Sequence, residues 1–211
     1  MRYTVSVMVK EFLKYEQVRN NALKLAHKMY KEDGFVPDVI YCSLRGGAYM
    51  ANVISEYYKV ARKNERPVLY AAVVARSYSD VRKASKRVYV DGWTYHPKNL
   101  RPGDKILLVD DIYDSGNTIN ELVNILYDYG VPAENLKIAV HDYKVRKFKE
   151  QPNIVPDYYC RKFVLETPED DCWINYMSHE LVGLTSVELE ENFYREYPEL
   201  RDVLDPIFSQ K

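Results

Sequence analysis

Apolar positions along the chain fall into helical and strand-like runs that take turns. From about residue 11 to 32, Val18, Ala22, Leu25, Ala26 and Met29 recur at spacings of three and four, which predicts one amphipathic helix. Gly34 ends it and Pro37 opens the next element. "DVIYCS" (38–43) reads as a short strand, "LRGG" (44–47) as a turn, and 48–62 as a helix with Met50, Val53, Ile54 and Tyr57 on one side. "PVLYAAVVAR" (67–76) is almost continuously apolar, as a strand covered on both faces must be. The polar, basic stretch 77–87 has no such period and reads as a loop, with a short strand at "VYVDGW" (88–93). "KILLVDD" (105–111) is a strand. A helix over 118–129 aligns Ile119, Leu122, Val123, Leu126 and Tyr129 and closes on Gly130, and "LKIAVHDYK" (136–144) is a further strand.

Strands that alternate with helices predict an α/β fold, a parallel sheet flanked by helices on both faces. Ligands of such sheets sit beyond the carboxyl ends of the strands. From about residue 145 the alternation stops and the chain becomes rich in Tyr, Pro and acids. The expected division is a core over 1–145 and a small C-terminal hood over 146–211, with a helix at about 185–196 and the first residues of the chain joining the hood.

Composition narrows the function. Among 211 residues, 46% are hydrophobic and 29% charged, with a formal net charge of −1. That balance gives no overall basic field for nucleic acid or an anionic membrane, and no run approaches the roughly 20 apolar residues of a membrane span. "MRYTVSVMVKEF" lacks the apolar core and cleavage site of a signal peptide, so the expected location is the cytoplasm. Cys42, Cys160 and Cys172 are odd in number and form no CxxC pair, which predicts inert thiols. The 20 tyrosines read as amphipathic packing groups. His141 and His179 are isolated and read as structural.

The chemistry concentrates in "ILLVDDIYDSGNTI" (106–119). An apolar strand runs into Asp110 and Asp111, then Asp114, then Ser115, Gly116, Asn117 and Thr118 at the start of a helix. The first amides of a helix lack intrahelical partners and the dipole is positive there, so this turn is a candidate phosphate cradle. Acids at its rim make sense if they bind sugar hydroxyls or a hard cation such as magnesium. A P-loop would require GxxxxGK[ST], which the chain does not contain. "SLRGG" is a second strand-to-helix turn, where Gly46 and Gly47 let amides face a ligand and Arg45 can neutralise a phosphate.

"LLVDDIYDSGNT" resembles the phosphoribosyl-diphosphate (PRPP) binding motif of type I phosphoribosyltransferases. "LRGG" resembles their diphosphate loop, and Ser77–Tyr78 the start of the mobile loop of the 6-oxopurine branch. Lys144, followed later by Trp173–Ile174, resembles that branch's purine site. The resemblance implies that residues Asp114 to Thr118 hold the 5-phosphate, that Asp110 and Asp111 hold the ribose with magnesium, and that Leu44, Arg45, Gly46 and Gly47 hold the diphosphate. It implies that Asp114 faces the purine N7 as proton acceptor or stabiliser, the catalytic role, that Lys144 donates to the exocyclic oxygen, that Trp173 stacks on the base and that the Ile174 backbone meets its edge. The implied reaction converts purine base and PRPP to nucleoside 5-monophosphate and diphosphate, in a homodimer. Val145 stands where that branch often has proline, and His179 stands where it usually presents an acid, which leaves adenine as an alternative base. A regulator that senses PRPP or nucleotide on the same fold is the alternative class.

Overall fold

The computed structural model describes residues 9–62, 66–78 and 87–209, with the backbone alone at 76–78 and 87. The chain divides into two compact units, Tyr15–Asp171 and a smaller one that joins Met1–Lys14 to Cys172–Lys211.

The larger unit is built on a six-stranded sheet. Its strands are β2 (Val39–Leu44), β3 (Leu69–Tyr78), β4 (Arg87–Trp93), β5 (Ile106–Tyr113), β6 (Leu136–Arg146) and β7 (Tyr158–Leu165), in the order β4-β3-β2-β5-β6-β7. All neighbours are parallel except β3 and β4, which run antiparallel. Helices α1 (Tyr15–His27) and α2 (Ala48–Ala61) cover one face, and α3 (Asn117–Asp128) covers the other. Alternate residues of each central strand serve opposite faces. Val39, Tyr41, Ile106, Leu108, Ile138 and Val140 join Ile119, Leu122, Val123 and Leu126 of α3 in one core. Because both faces are packed, β2 and the first five residues of β5 are buried almost throughout.

The chain steps outward from β2 to β3 on one side and from β5 to β6 and β7 on the other. The order therefore reverses between β2 and β5, and a crevice is expected at their carboxyl ends. The two glycine turns follow those two strands.

Three expectations change. The predicted helix over 11–32 begins as a strand, β1 (Lys10–Leu13), which pairs in parallel with β8 (Trp173–Tyr176). Only from Tyr15 does the helix run, finishing in a wider-wound turn over Lys28–Glu32. A partner some 160 residues away leaves no trace in local periodicity. The parallel sheet carries an antiparallel edge, β4. The division expected after residue 145 falls inside β6. β7 extends the sheet beyond it, so the larger unit runs to Asp171.

The smaller unit has the β1–β8 ribbon and two helices, α4 (Ser186–Leu189) and α5 (Arg201–Phe208). Thr185 and Glu188 close a reciprocal capping box at the start of α4, and a wider turn over Glu190–Tyr194 prolongs it. Leu184, Leu189, Phe193, Tyr194 and Leu204 form its core. Among the described residues no helix is long and apolar enough to cross a membrane.

Candidate active site

The two turns meet at the sheet's reversal point. A Cβ placed on Gly46 would stand 2.3 Å from the carboxyl carbon of Asp111, and one on Gly47 would stand 2.4 Å from the carbonyl oxygen of Val109. At Gly47 the clash is with backbone of β5 and of Ser43, so glycine is required there; at Gly46 a side chain would have to displace the Asp111 carboxylate. The Leu44–Arg45 peptide is cis. Arg45 is exposed, and Ser43 before the turn is buried beside Asp110.

Downstream, Asp114, Ser115 and Gly116 form a bend that opens α3. Gly116 has φ of +77°, the left-handed region that favours glycine. A Cβ there would stand 2.3 Å from the Tyr113 hydroxyl oxygen and 3.0 Å from Cγ of Pro152. That tyrosine cannot easily give way. Its hydroxyl donates to the Ile154 carbonyl at 2.5 Å, and the Asn120 amide nitrogen donates to the Tyr113 hydroxyl, the Gly116 carbonyl and the Ile154 carbonyl at 2.9–3.1 Å. The turn is thus held from below by Tyr113 and Asn120, which leaves its upper side to a cavity of about 230 Å³ lined by residues Asp110 to Ile119. Ser115 and Asn117 are exposed there and Thr118 is half-buried. The leading amides of α3 have no helical partner, so the cavity offers donors to an anion.

The acids at its rim are not equivalent. Asp110 is 9% exposed. Burial pushes its carboxyl well above the ordinary carboxylate range, and the neighbouring charge of Asp111 pushes it further; hydrogen bonds from the Asp111 backbone and from Ser43 act the other way. Its Oδ1 accepts from the Asp111 amide at 3.0 Å, and Asp111 Oδ1 accepts from the Ile112 amide at 2.8 Å. Two adjacent carboxylates that repel each other fit a cation. Among the described residues no group of three or more His, Cys, Asp or Glu could hold a metal ion. Two carboxylates are nonetheless enough for magnesium that keeps most of its oxygens from water and substrate phosphate.

A stability prediction follows from Asp110. The folded state binds its proton more tightly than the unfolded chain, whose value is about 3.9. The stabilising effect is therefore complete below that pH and is lost as pH rises through the raised folded value. Asp110→Asn keeps the shape and never ionises. Ligand-free Asp110→Asn should melt higher than wild type at neutral pH, by a margin that opens as pH rises from about 4. Thermal melts across that range check this, and an equal margin at every pH would show that Asp110 is not the source.

Lys144 and Arg146 alternate on β6 and so share a face. The Lys144 ammonium donates to Asp171 Oδ1 at 2.7 Å and lies 3.7 Å from Asp114 Oδ1. Its side chain is 5% exposed. Arg146 binds Asp171 Oδ2 and also Asp114. Burial raises the Asp171 carboxyl, but Lys144 and Arg146 outweigh it and leave the group below its usual range. Sequence reasoning did not single out Arg146 or Asp171. The signal available was the basic stretch 144–149 with its Lys–x–Arg alternation at the end of a strand, which extends two residues past the end expected at 144.

The structure thus brings the 44–47 and 110–118 turns and Lys144 together within one unit. The backbone of Ser77–Tyr78 ends β3 rather than a loop; their side chains and residues 79–86 lie outside the described residues. Trp173 and Ile174 belong to the smaller unit. There Trp173 is 52% exposed, with its indole N–H donating to Glu180 at 3.3 Å, and Ile174 is buried. His141 is fully buried, held by Asp142 at 2.9 Å and Asn21 at 3.0 Å, and His179 stacks on Tyr176.

Fold and turns together define a phosphoribosyltransferase scaffold. The chain belongs to the phosphoribosyl transferase domain family, whose pattern matches residues 8–175. Among curated proteins it is similar to the Bifunctional protein PyrR of Halalkalibacterium halodurans, at 26% identity over 188 residues, 87% of this chain and 98% of that protein. The similarity to the Bifunctional protein PyrR of Pseudomonas paraeruginosa is 38% over 53 residues, and there the chain spans only 31% of the relative's length. Among solved structures, the purine phosphoribosyltransferase from Pyrococcus horikoshii shares the fold with a TM-score of 0.61 at 21% identity, covering 84% of this chain and 99% of that one. A Neisseria gonorrhoeae protein with bound ppGpp shares it with a TM-score of 0.62 at 20% identity, covering 83% and 92%.

Proposed function

We propose that the protein is a purine phosphoribosyltransferase that joins a 6-oxopurine base to PRPP, releasing diphosphate and leaving a nucleoside 5-monophosphate. The observation that carries this reading is the convergence of the two glycine turns, with Gly46 and Gly47 packed against the end of β5, the strand that leads into the Gly116 turn. One turn supplies a phosphate cradle, the other a second anion site, and the acids between them suit a ribose. In this reading the amides of Ser115 to Thr118 hold the 5-phosphate. The Leu44–Gly47 turn holds the diphosphate. Asp110 and Asp111 accept from the ribose hydroxyls and would hold magnesium, which supplies charge neutralisation for the departing diphosphate.

The bond from the anomeric carbon to diphosphate breaks, the bond to the purine nitrogen forms, and the proton on N7 passes to Asp114. The protein's task is to position and to neutralise charge rather than to attack. Lys144 supports a 6-oxopurine because an ammonium offers three donors and no acceptor. Adenine is the alternative substrate, since Lys144 is already engaged by Asp171. A second reading, a sensor of PRPP or nucleotide, draws support from the bifunctional designation of the curated relatives and from the fold shared with a ppGpp-bound protein.

The test is a panel of hypoxanthine, guanine, xanthine, adenine and uracil with PRPP and magnesium, reading nucleotide and diphosphate formed. Faster turnover of a 6-oxopurine is the expected result. Turnover of adenine or uracil alone would replace the proposed substrate. Binding of PRPP without turnover of any base would favour the sensor.

A further inference from the structure

Asp114 stands at the first position of the phosphate turn with its side chain half exposed. A carboxylate so placed has several rotamers open to it, and only some direct it at a base. Arg146 limits that choice. Its Nη2 donates to Asp114 Oδ1 at 2.5 Å and its Nη1 donates to the Asp114 backbone carbonyl. One planar group thus grips both the side chain and the backbone of the same residue.

The guanidinium is itself held. Asp171 Oδ2 accepts from Nη2 at 2.7 Å and from Nε at 3.2 Å, while its Oδ1 accepts from Lys144 at 2.7 Å. The Arg146 side chain is 12% exposed. Burial pulls its pKa down, and the hydrogen bonds and charges of Asp114 and Asp171 more than offset this. Asp171 thereby ties the two cations of β6 into one unit that faces Asp114.

We propose that Arg146 is the positioning residue for Asp114, holding its carboxylate and carbonyl in the orientation that receives the base, with Asp171 fixing the guanidinium. The inference rests on Asp114 being the group that faces the purine N7. Lysine could not replace Arg146, because a single ammonium on a flexible stem cannot span two Asp114 oxygens and Asp171 in one plane.

The experiment measures kcat and KM for PRPP and base in Arg146→Ala, Arg146→Lys, Asp114→Asn and the Arg146→Ala/Asp114→Asn pair, on whichever base the wild type uses. Arg146→Ala should lower kcat about 10- to 100-fold, the scale of a misplaced catalytic group. Arg146→Lys, which keeps charge and stem, should recover little of it. In the Asp114→Asn background, Arg146→Ala should add less than about twofold, since residues acting through one contact are not additive. A merely structural role would give the same proportional loss in both backgrounds. That additivity, full recovery by Arg146→Lys, or a kcat for Arg146→Ala within about twofold of wild type would overturn the inference while leaving the proposed function standing. A wild type that turns over no base would sink the proposed function itself, and the catalytic role of Arg146 with it.

Discussion

Lys144→Ala should depress turnover of hypoxanthine, guanine and xanthine far more than that of adenine. A site built to donate to an exocyclic oxygen discriminates by up to ~10⁴–10⁵ against a partner it cannot pair. Removing the donor removes most of that margin for oxo bases, whereas adenine presents an amino group that an ammonium cannot serve. The structure adds a complication: Lys144 is almost buried and bound to Asp171 at 2.7 Å. Truncation therefore removes one of the two cations that hold Asp171, leaving Arg146, and weakens the end of β6 as well. A general weakening lowers all bases together, so the ratio of kcat/KM between hypoxanthine and adenine separates the two effects. A ratio that collapses assigns Lys144 to the base. An unchanged ratio with lower rates throughout makes Lys144 a strut for Asp171.

The second large effect is expected at Asp114. Asp114→Asn keeps the size, the carbonyl and one acceptor oxygen, so the turn and PRPP binding should survive. What is lost is the charge and the ability to take a proton, and kcat should fall ~10²–10⁴-fold, the range for acid–base catalysis. Arg146, bound to the Asp114 carboxylate and to Asp171, then faces an amide that offers one oxygen rather than two. Single-turnover rates at saturating PRPP and base give the chemical step. A loss smaller than about tenfold would make Asp114 a former of the turn and withdraw it from proton transfer.

Much of the larger unit could be read from local pattern. Strands β2, β3, β5 and β6 and helices α2 and α3 lie where periodicity places them, because burial on two faces imposes long apolar runs and burial on one face imposes a helical stripe. The phosphate turn is legible for a similar reason. Strand, acids, glycine and helix start are contiguous, and Gly116 carries its own backbone requirement at φ +77°.

The remaining features depend on residues far apart in the chain. β1 hid within a helical pattern because its partner, β8, follows residue 172. β7 falls within the expected hood because an edge strand covered on one side alternates too weakly to stand out, with exposed Tyr159, Lys162 and Val164 between better-buried neighbours. The need for glycine at position 47 comes from the Val109 carbonyl and the Asp110 backbone of a neighbouring strand.

The amino-acid sequence by itself determined the α/β alternation and the residue types of both anion-binding turns, because each is a short-range consequence of burial or backbone freedom. Only the tertiary structure decided how the acids are balanced. It buries Asp110 beside the like charge of Asp111, and it supplies Asp114 with Arg146 from β6. Electrostatic partners are chosen by distance in space, and strand order, not sequence separation, sets that distance.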